Sequence, residues 1–411
     1  MNVTPHNPPR PRGSLMITAA YYAAFIGLGL GIAAIGPTLP GLAEHTRTRL
    51  SEISFLFTAH SIGYFIGSLA AGHIYDRVRG HPIMAATLVA LTVMMFLIPL
   101  MPLLWLLTAA VLLLGLAGAI LDVGANTLLV WVHREKVAPY MNGLHAFFGV
   151  GTFIAPIVIA QLVLLSGDII WAYWVLGLFL LPVAVWLLRL PSPAHVKTAS
   201  AHAPTDQTNY PLVALIVLLW ILYVGCEFTM GGWIYSYALA MRMANETMAA
   251  YLTSAFWGAF TFARLVGIAI SMRFRPSRIL LADFGVCILG SALILLWPSS
   301  QLVLWGGTIL IGFGMASIIP VVISLAERRM VITARVTSFF FAGAAVGGMT
   351  LPWITGQLFE TFGPSVVLWG ILVNLILSTL VLFVILRTTR VKPSAVPAAA
   401  GAGSGVYPAT D

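Results

Sequence analysis

Charge is what this chain has least of. Only 8% of its 411 residues are Asp, Glu, Lys or Arg, against about 25% in soluble domains. With 60% of the residues hydrophobic, there is too little polar surface to face water, so the composition implies an integral membrane protein. Cysteine is nearly absent. Cys226 and Cys287 both lie inside apolar runs, which excludes a disulfide framework and any cysteine-based metal spacing. No nucleophile–base pair, metal cluster or phosphate loop is visible, so neither an enzyme, a cofactor, a metal site nor a nucleotide-driven pump is expected. The net charge of +8 is not a footprint for nucleic acid, because the basic residues sit at the ends of apolar runs. No stretch alternates as a strand does, which excludes a β-barrel. The first 14 residues are Pro-rich and polar and lack a small-residue cleavage site, so the first apolar run reads as a retained helix.

What is present is apolar length. A span needs about 20 apolar residues. Twelve runs qualify: 15–42, 52–75, 82–101, 103–132, 139–165, 168–190, 211–241, 247–272, 279–297, 301–326, 333–359 and 364–387. Gly and Pro inside them are tolerated better than in soluble helices. Of the 21 Lys and Arg residues, Arg47, Arg49 and Arg242 fall on outer loops and Arg264 falls inside a run. All the others fall on the inner side if both termini are cytoplasmic. The expected location is a cell (inner) membrane, crossed many times. Segment 191–210 (PSPAHVKTASAHAPTDQTNY) is the one long polar interruption. The expected division is a tail 1–14, a bundle 15–190, a linker 191–210, a bundle 211–387 and a disordered, Ala/Gly/Pro-rich tail 388–411.

The two halves read as copies. At an offset of 196 residues Gly151 meets Gly347, Pro156 meets Pro352, Gln161 meets Gln357 and Leu162 meets Leu358. At 197, Gly115 meets Gly312. Parallel six-helix repeats are the architecture of rocking transporters, with the solute at the midplane between them.

The turn after the second run reads Gly72-His-Ile-Tyr-Asp76-Arg77-Val-Arg79-Gly80-His81. It resembles the cytoplasmic loop signature of the major facilitator superfamily: a glycine, three residues, Asp-Arg, then basic residues. Gly72 would allow close helix approach, and Asp76 could cap a neighbouring helix or pair with an arginine. The order Arg79-Gly80 departs from the family's Gly-Arg. The matching turn, Gly267 to Arg278, keeps Arg273 and Arg275 but has Ser271 in place of an acid. The resemblance covers nearly the whole chain and implies an all-α membrane protein, twelve helices in two pseudo-symmetric bundles.

Within that superfamily the stretch from Gly118 to Pro156 is similar to the branch of fucose permease and the sodium-dependent glucose transporters. The features are an acid and an asparagine four apart on the fourth helix, Asp122 and Asn126, and N-x-x-Q/H on the fifth, Asn142 and His145. The seventh helix carries an acid before Gly and Trp: Glu227, Gly231-Gly232 and Trp233. Two positions depart: the first helix, Tyr21 to Leu42, has no acid, and Phe148 replaces an asparagine.

Taken singly, these residues have a functional and a bland reading. Only Asp122 and Glu227 stand clearly mid-run among the acids. An ionised group there is expensive, about 2.5–3.5 kcal/mol on insertion scales. Asp122 would be a proton site or an acceptor for a solute hydroxyl; otherwise it bonds Asn126 or a neighbouring helix. Asn126, on the same face, would meet hydroxyls or join helices. His145 would bond a solute or relay a proton, or simply pack. Asn142, near its helix start, would be a cap or a solute contact. Glu227, with no polar partner in its own turn, would be a coupling site or structural. Arg264 would pair with an acid as a gate. Trp233, Tyr235, Trp257, Phe147 and Phe148 are candidate platforms for a sugar's C–H face, or packing. His60 reads as packing with a satisfied hydrogen bond. Gly27, Gly29, Gly31, Gly149 and Gly151 read as close-approach surfaces.

The expectation is a monomeric secondary active transporter working by alternating access, with its site built by helices one, four, five, seven, eight, ten and eleven. Its partners are a small neutral solute (a hexose or polyol), a coupling ion (H+ or Na+) and the bilayer, with no nucleic acid. The competing reading is an exporter of drugs or other amphiphiles. A receptor or scaffold would need larger loops.

Overall fold

Without water to satisfy its backbone, a spanning segment must pair its N–H and C=O groups internally, and the helix does this. The computed structural model describes residues 13–193, 209–330 and 332–388. Among them are twelve apolar helices of spanning length: α1 Ser14–Thr46, α2 Leu50–Arg77, α3 Gly80–Leu100, α4 Leu104–His133, α5 Val137–Ser166, α6 Ile170–Arg189, α7 Tyr210–Ala240, α8 Glu246–Arg273, α9 Pro276–Leu296, α10 Gln301–Glu327, α11 Arg335–Phe362 and α12 Val366–Arg387. Each end lies within about one helical turn of the apolar run that predicts it. Most of the expected linker and nearly all of both expected tails lie outside the described residues.

Turn chemistry sets the ends. Asn209 and Asn245 cap α7 and α8, their side chains accepting from Leu212 N at 3.1 Å and Met248 N at 2.9 Å. Gly167 and Gly363, at φ 72° and 84°, close α5 and α11 in a conformation that favours glycine. α10 breaks at Ala316–Ser317. Pro320 explains the break, since it has no N–H to offer Ala316 and its ring crowds that carbonyl.

The first six helices pack through α2 on α4, α1 on α5, and α3 on α4 and α6; the last six pack through α7 on α11, α8 on α10, α9 on α10, and α7 and α9 on α12. Small residues make these contacts possible. A Cβ at Gly29 would meet the carbonyl of Phe148, and one at Gly151 that of Ile26. In the second half a Cβ at Gly347 would meet the carbonyl of Ile221, and Gly225 lies against Gly347. Gly115 approaches the carbonyl of His60, and Gly312 approaches that of Phe256. The contacts of Gly151 and Gly115 thus recur in the other half, at Gly347 and Gly312, close to the sequence offset. At the end carrying the first residue of α1, His81 stitches the first bundle, its Nε2 2.8 Å from the Tyr21 hydroxyl and its Nδ1 3.0 Å from the carbonyl of Leu190.

The bundles meet through α5·α8, α2·α11 and α1·α7. They close at the end holding the turns 47–49 and 363–365. There Glu360 accepts from Leu50 N at 2.9 Å and Ser51 Oγ at 3.1 Å, and Gln357 donates to the carbonyl of Ser51 at 2.7 Å. Gln161, the repeat partner of Gln357, donates to the Tyr251 hydroxyl. Gly36 of α1 lies against Gly231 and Gly232 of α7. At the opposite end Gly72 has no neighbour within 4 Å of a Cβ position. The close approach expected of Gly72 is therefore absent in this conformation. Gly31 is open too, whereas Gly27, Gly29, Gly149 and Gly151 do meet neighbours.

Candidate functional site

Two acids stand near the middle of their helices, one per bundle. Asp122 of α4 is half-buried. Its Oδ1 accepts from Asn126 Nδ2 at 2.8 Å, and its Oδ2 accepts from the hydroxyl of Tyr64 on α2. The same Asn126 nitrogen reaches the carbonyl of Asp122 at 2.9 Å. A carbonyl only accepts, so the amide's orientation follows. The expected Asp–Asn pairing across one turn is present. Tyr64 escaped sequence reasoning, because a tyrosine in an apolar run looks like any packing aromatic.

Glu227 of α7 has a partner one turn back, contrary to the expectation that it has none. The Tyr223 hydroxyl lies 2.7 Å from its Oε2 and 2.6 Å from the carbonyl oxygen of Met315 on α10. The i, i+4 spacing was available in the sequence. The expected Arg264–acid pair is not formed: among the described residues no carboxylate lies within ion-pair distance. Instead the guanidinium lies over the Phe260 ring, 4.5 Å from its centroid, and its Nε has no hydrogen-bond partner. Arg264 stands close enough to act electrostatically on Glu227 and Tyr223 of α7 and on His145 of α5. His145 is half-buried, with its ring edge-on to Phe25 at 5.9 Å.

Other expectations land elsewhere. Trp233 is 0% exposed; its Nε1 donates to the carbonyl of Pro352 at 3.1 Å, and its ring packs between Phe57 and Phe359. It seals the closed end, and no face is free for a sugar in this conformation. Tyr235 is buried as well. Trp257 sits deeper, 6% exposed, against Phe256 and Phe260, with its indole N–H unpartnered. Phe147 stacks on Tyr22 at 4.7 Å, and Phe148 is half-buried. Asn142 is exposed on the second turn of α5 and does not cap it; the capping position is Lys136. His60 is buried with no hydrogen bond among the described residues, which corrects the expected satisfied bond. It stacks on Tyr64 and lines a cavity of about 10 Å³ within the first bundle. Asp76, Arg77 and Arg79 are exposed and line a surface groove of about 570 Å³ with His81 and Trp131 at the end opposite the closure.

Each bundle thus contributes polar groups from within its helices, and the bundles are sealed against each other at one end. Asp122, Asn126 and His145 stand in the first bundle, and Glu227, Trp257 and Arg264 in the second. The arrangement supplies several donors and acceptors and one cation, and lacks any nucleophile or metal cluster among the described residues. Comparison with known proteins fits this picture. Residues 21–335 match the Major Facilitator Superfamily. The chain is 30% identical to the human "Sodium-dependent glucose transporter 1", over 82% of this chain and 72% of that one. It is 29% identical to the mouse "Sodium-dependent glucose transporter 1A", over 82% of this chain and 88% of that one. A solved "D-xylose-proton symporter" superposes with a TM-score of 0.71 at 15% identity, covering 89% of this chain and 97% of the other.

Proposed function

The chain belongs to the major facilitator superfamily, and from that premise we propose that it is a secondary active transporter for a small neutral sugar, a hexose or close relative. Its halves rock about the midplane site, and a cation gradient drives them. The observation that carries this reading is the half-buried Asp122–Asn126 pair within α4, backed by Tyr64 of α2. A carboxylate and an amide offer acceptors and donors in the pattern sugar hydroxyls need. One arginine, with no second cation beside it, does not suit a phosphorylated solute. The relatives named as glucose transporters support the same substrate class.

In this reading the closed end faces outward, which the distribution of the basic residues supports, and the opposite end faces the cytoplasm. Bound solute favours the closed arrangements by contacts it makes in them and not in the open ones. The test is uptake into proteoliposomes with a panel of labelled hexoses, with and without pH and sodium gradients. Saturable uptake that a gradient drives above equilibrium is expected. If no hexose enters or exchanges while the protein expels amphiphilic dyes, the proposal is wrong and the exporter reading replaces it.

A further inference from the structure

The two membrane acids differ in how many protons their neighbours allow. Asp122 receives one donor on each oxygen, from Tyr64 and Asn126. Two donors on two oxygens suit the ionised acid.

Glu227 is placed differently. Its Oε2, the Tyr223 hydroxyl and the carbonyl oxygen of Met315 form a row with spacings of 2.7 and 2.6 Å. A phenol carries one proton, and a carbonyl oxygen carries none. Both links can be hydrogen bonds only if Glu227 brings a proton of its own: Glu227 donates to Tyr223, and Tyr223 donates to Met315. If Glu227 is ionised, it competes with Met315 for the single phenolic proton, and one buried acceptor goes without.

The carbonyl at the end of this row is not an ordinary one. Met315 is the last residue of the first segment of α10, immediately before the break. On the far side of the break, Ser317 Oγ bonds Asp283 of α9. Tyr223 is therefore the tie between α7 and the broken helix.

We propose that Glu227 is the proton-carrying acid of the transport cycle, and that Tyr223 transmits its state to the break in α10. This rests on the coupled-transporter reading above and names its ion as H+. With the proton on Glu227, Met315 is fastened to α7. When the proton leaves, Tyr223 turns to the carboxylate and the segment Ile318–Glu327 is released. Arg264 on α8, whose guanidinium rests on Phe260 and whose Nε has no hydrogen-bond partner, is close enough to act electrostatically on the same carboxylate once it is ionised. The other titratable groups nearby are His145 on α5, facing Arg264, and Cys287 on α9, facing Tyr223 with Asp283 behind it. Asp122 is then left to the solute.

Infrared difference spectra between acid and alkaline pH, taken on the full chain in lipid, test this without any sugar. The expected spectrum holds a protonated-carboxyl C=O band that titrates. The band vanishes in Glu227→Gln, moves to higher frequency in Tyr223→Phe, and persists in Asp122→Asn. In transport, Glu227→Gln loses accumulation driven by a pH gradient. Persistence of that same band in Glu227→Gln, or pH-driven accumulation undiminished in that variant, overturns the proposal. If Glu227→Gln does not fold, an unshifted band in Tyr223→Phe overturns it equally. If the wild-type protein carries no sugar at all, the substrate class falls while the spectrum still decides the proton site.

Discussion

Gly36 offers a sharp test of the rocking mechanism. It stands where α1 crosses α7 at the closed end. A Cβ there would lie 2.6 Å from the carbonyl oxygen of Gly231 and 3.1 Å from the Cα of Gly232. Carbon atoms pack best at about 3.5–4.0 Å, so the backbones must part by roughly half an ångström. Forcing a methyl group into a tight contact costs about 1–3 kcal/mol. The contact exists only while that end is closed, so the cost falls on one state and the equilibrium moves by about 5- to 150-fold toward opening. Gly31→Ala is the control, because a Cβ at Gly31 meets nothing within 4 Å. Both changes gain the same helix propensity, so their difference isolates the crossing. The readout is a cysteine at Thr58, whose hydroxyl bonds the carbonyl of Met349 across the bundles at 3.0 Å. A membrane-impermeant maleimide is applied from the side of the Arg47–Arg49 loop. Faster labelling in Gly36→Ala than in Gly31→Ala is expected. Equal rates in two folded variants would refute the idea that this crossing limits opening.

Three further outcomes follow from the geometry. Gln161→Ala and Gln357→Ala each remove a hydrogen bond across the closed end, worth about 0.5–1.5 kcal/mol; each raises Thr58→Cys labelling roughly 2- to 10-fold, and together they act additively. Asp122→Asn replaces a charged acceptor of two donors by an amide that can accept only one; since bonds to charged groups are worth about 1.5–3 kcal/mol, uptake at low solute concentration falls by about 10- to 100-fold. Gly151→Ala and Gly347→Ala drive a Cβ into the carbonyls of Ile26 and Ile221, so both lower the melting temperature in a thermal-shift assay, by similar amounts if the halves are equivalent.

The fold was legible because apolar length and repeat spacing survive in one dimension. The pairing of Gly151 with Gly347 already pointed to equivalent packing, and the contacts with Ile26 and Ile221 realise it. Asp122 with Asn126 was legible because spacing alone puts them on one face. Tyr64 and the tie of Tyr223 to Met315 were not, since these depend on which neighbouring helix presents a carboxylate or an orphan carbonyl. Trp233 stayed open between platform and packing for a related reason: an aromatic suits a sugar or a seal equally well, and only tertiary placement separates them. The missing close contact at Gly72 reflects the conformation, a property of the ensemble rather than of the string of residues.

The glutamine and glutamate contacts at the closed end lie at the edge of the apolar zone, where Gln357 and Glu360 are exposed and Ser51 is half-buried. Water can replace each bond as it breaks, so the seal is held by a handful of increments near 1 kcal/mol each. Millimolar binding is worth about 4 kcal/mol, of the same order. A cargo held that loosely is enough to tip the barrier, and can then be let go quickly on the far side.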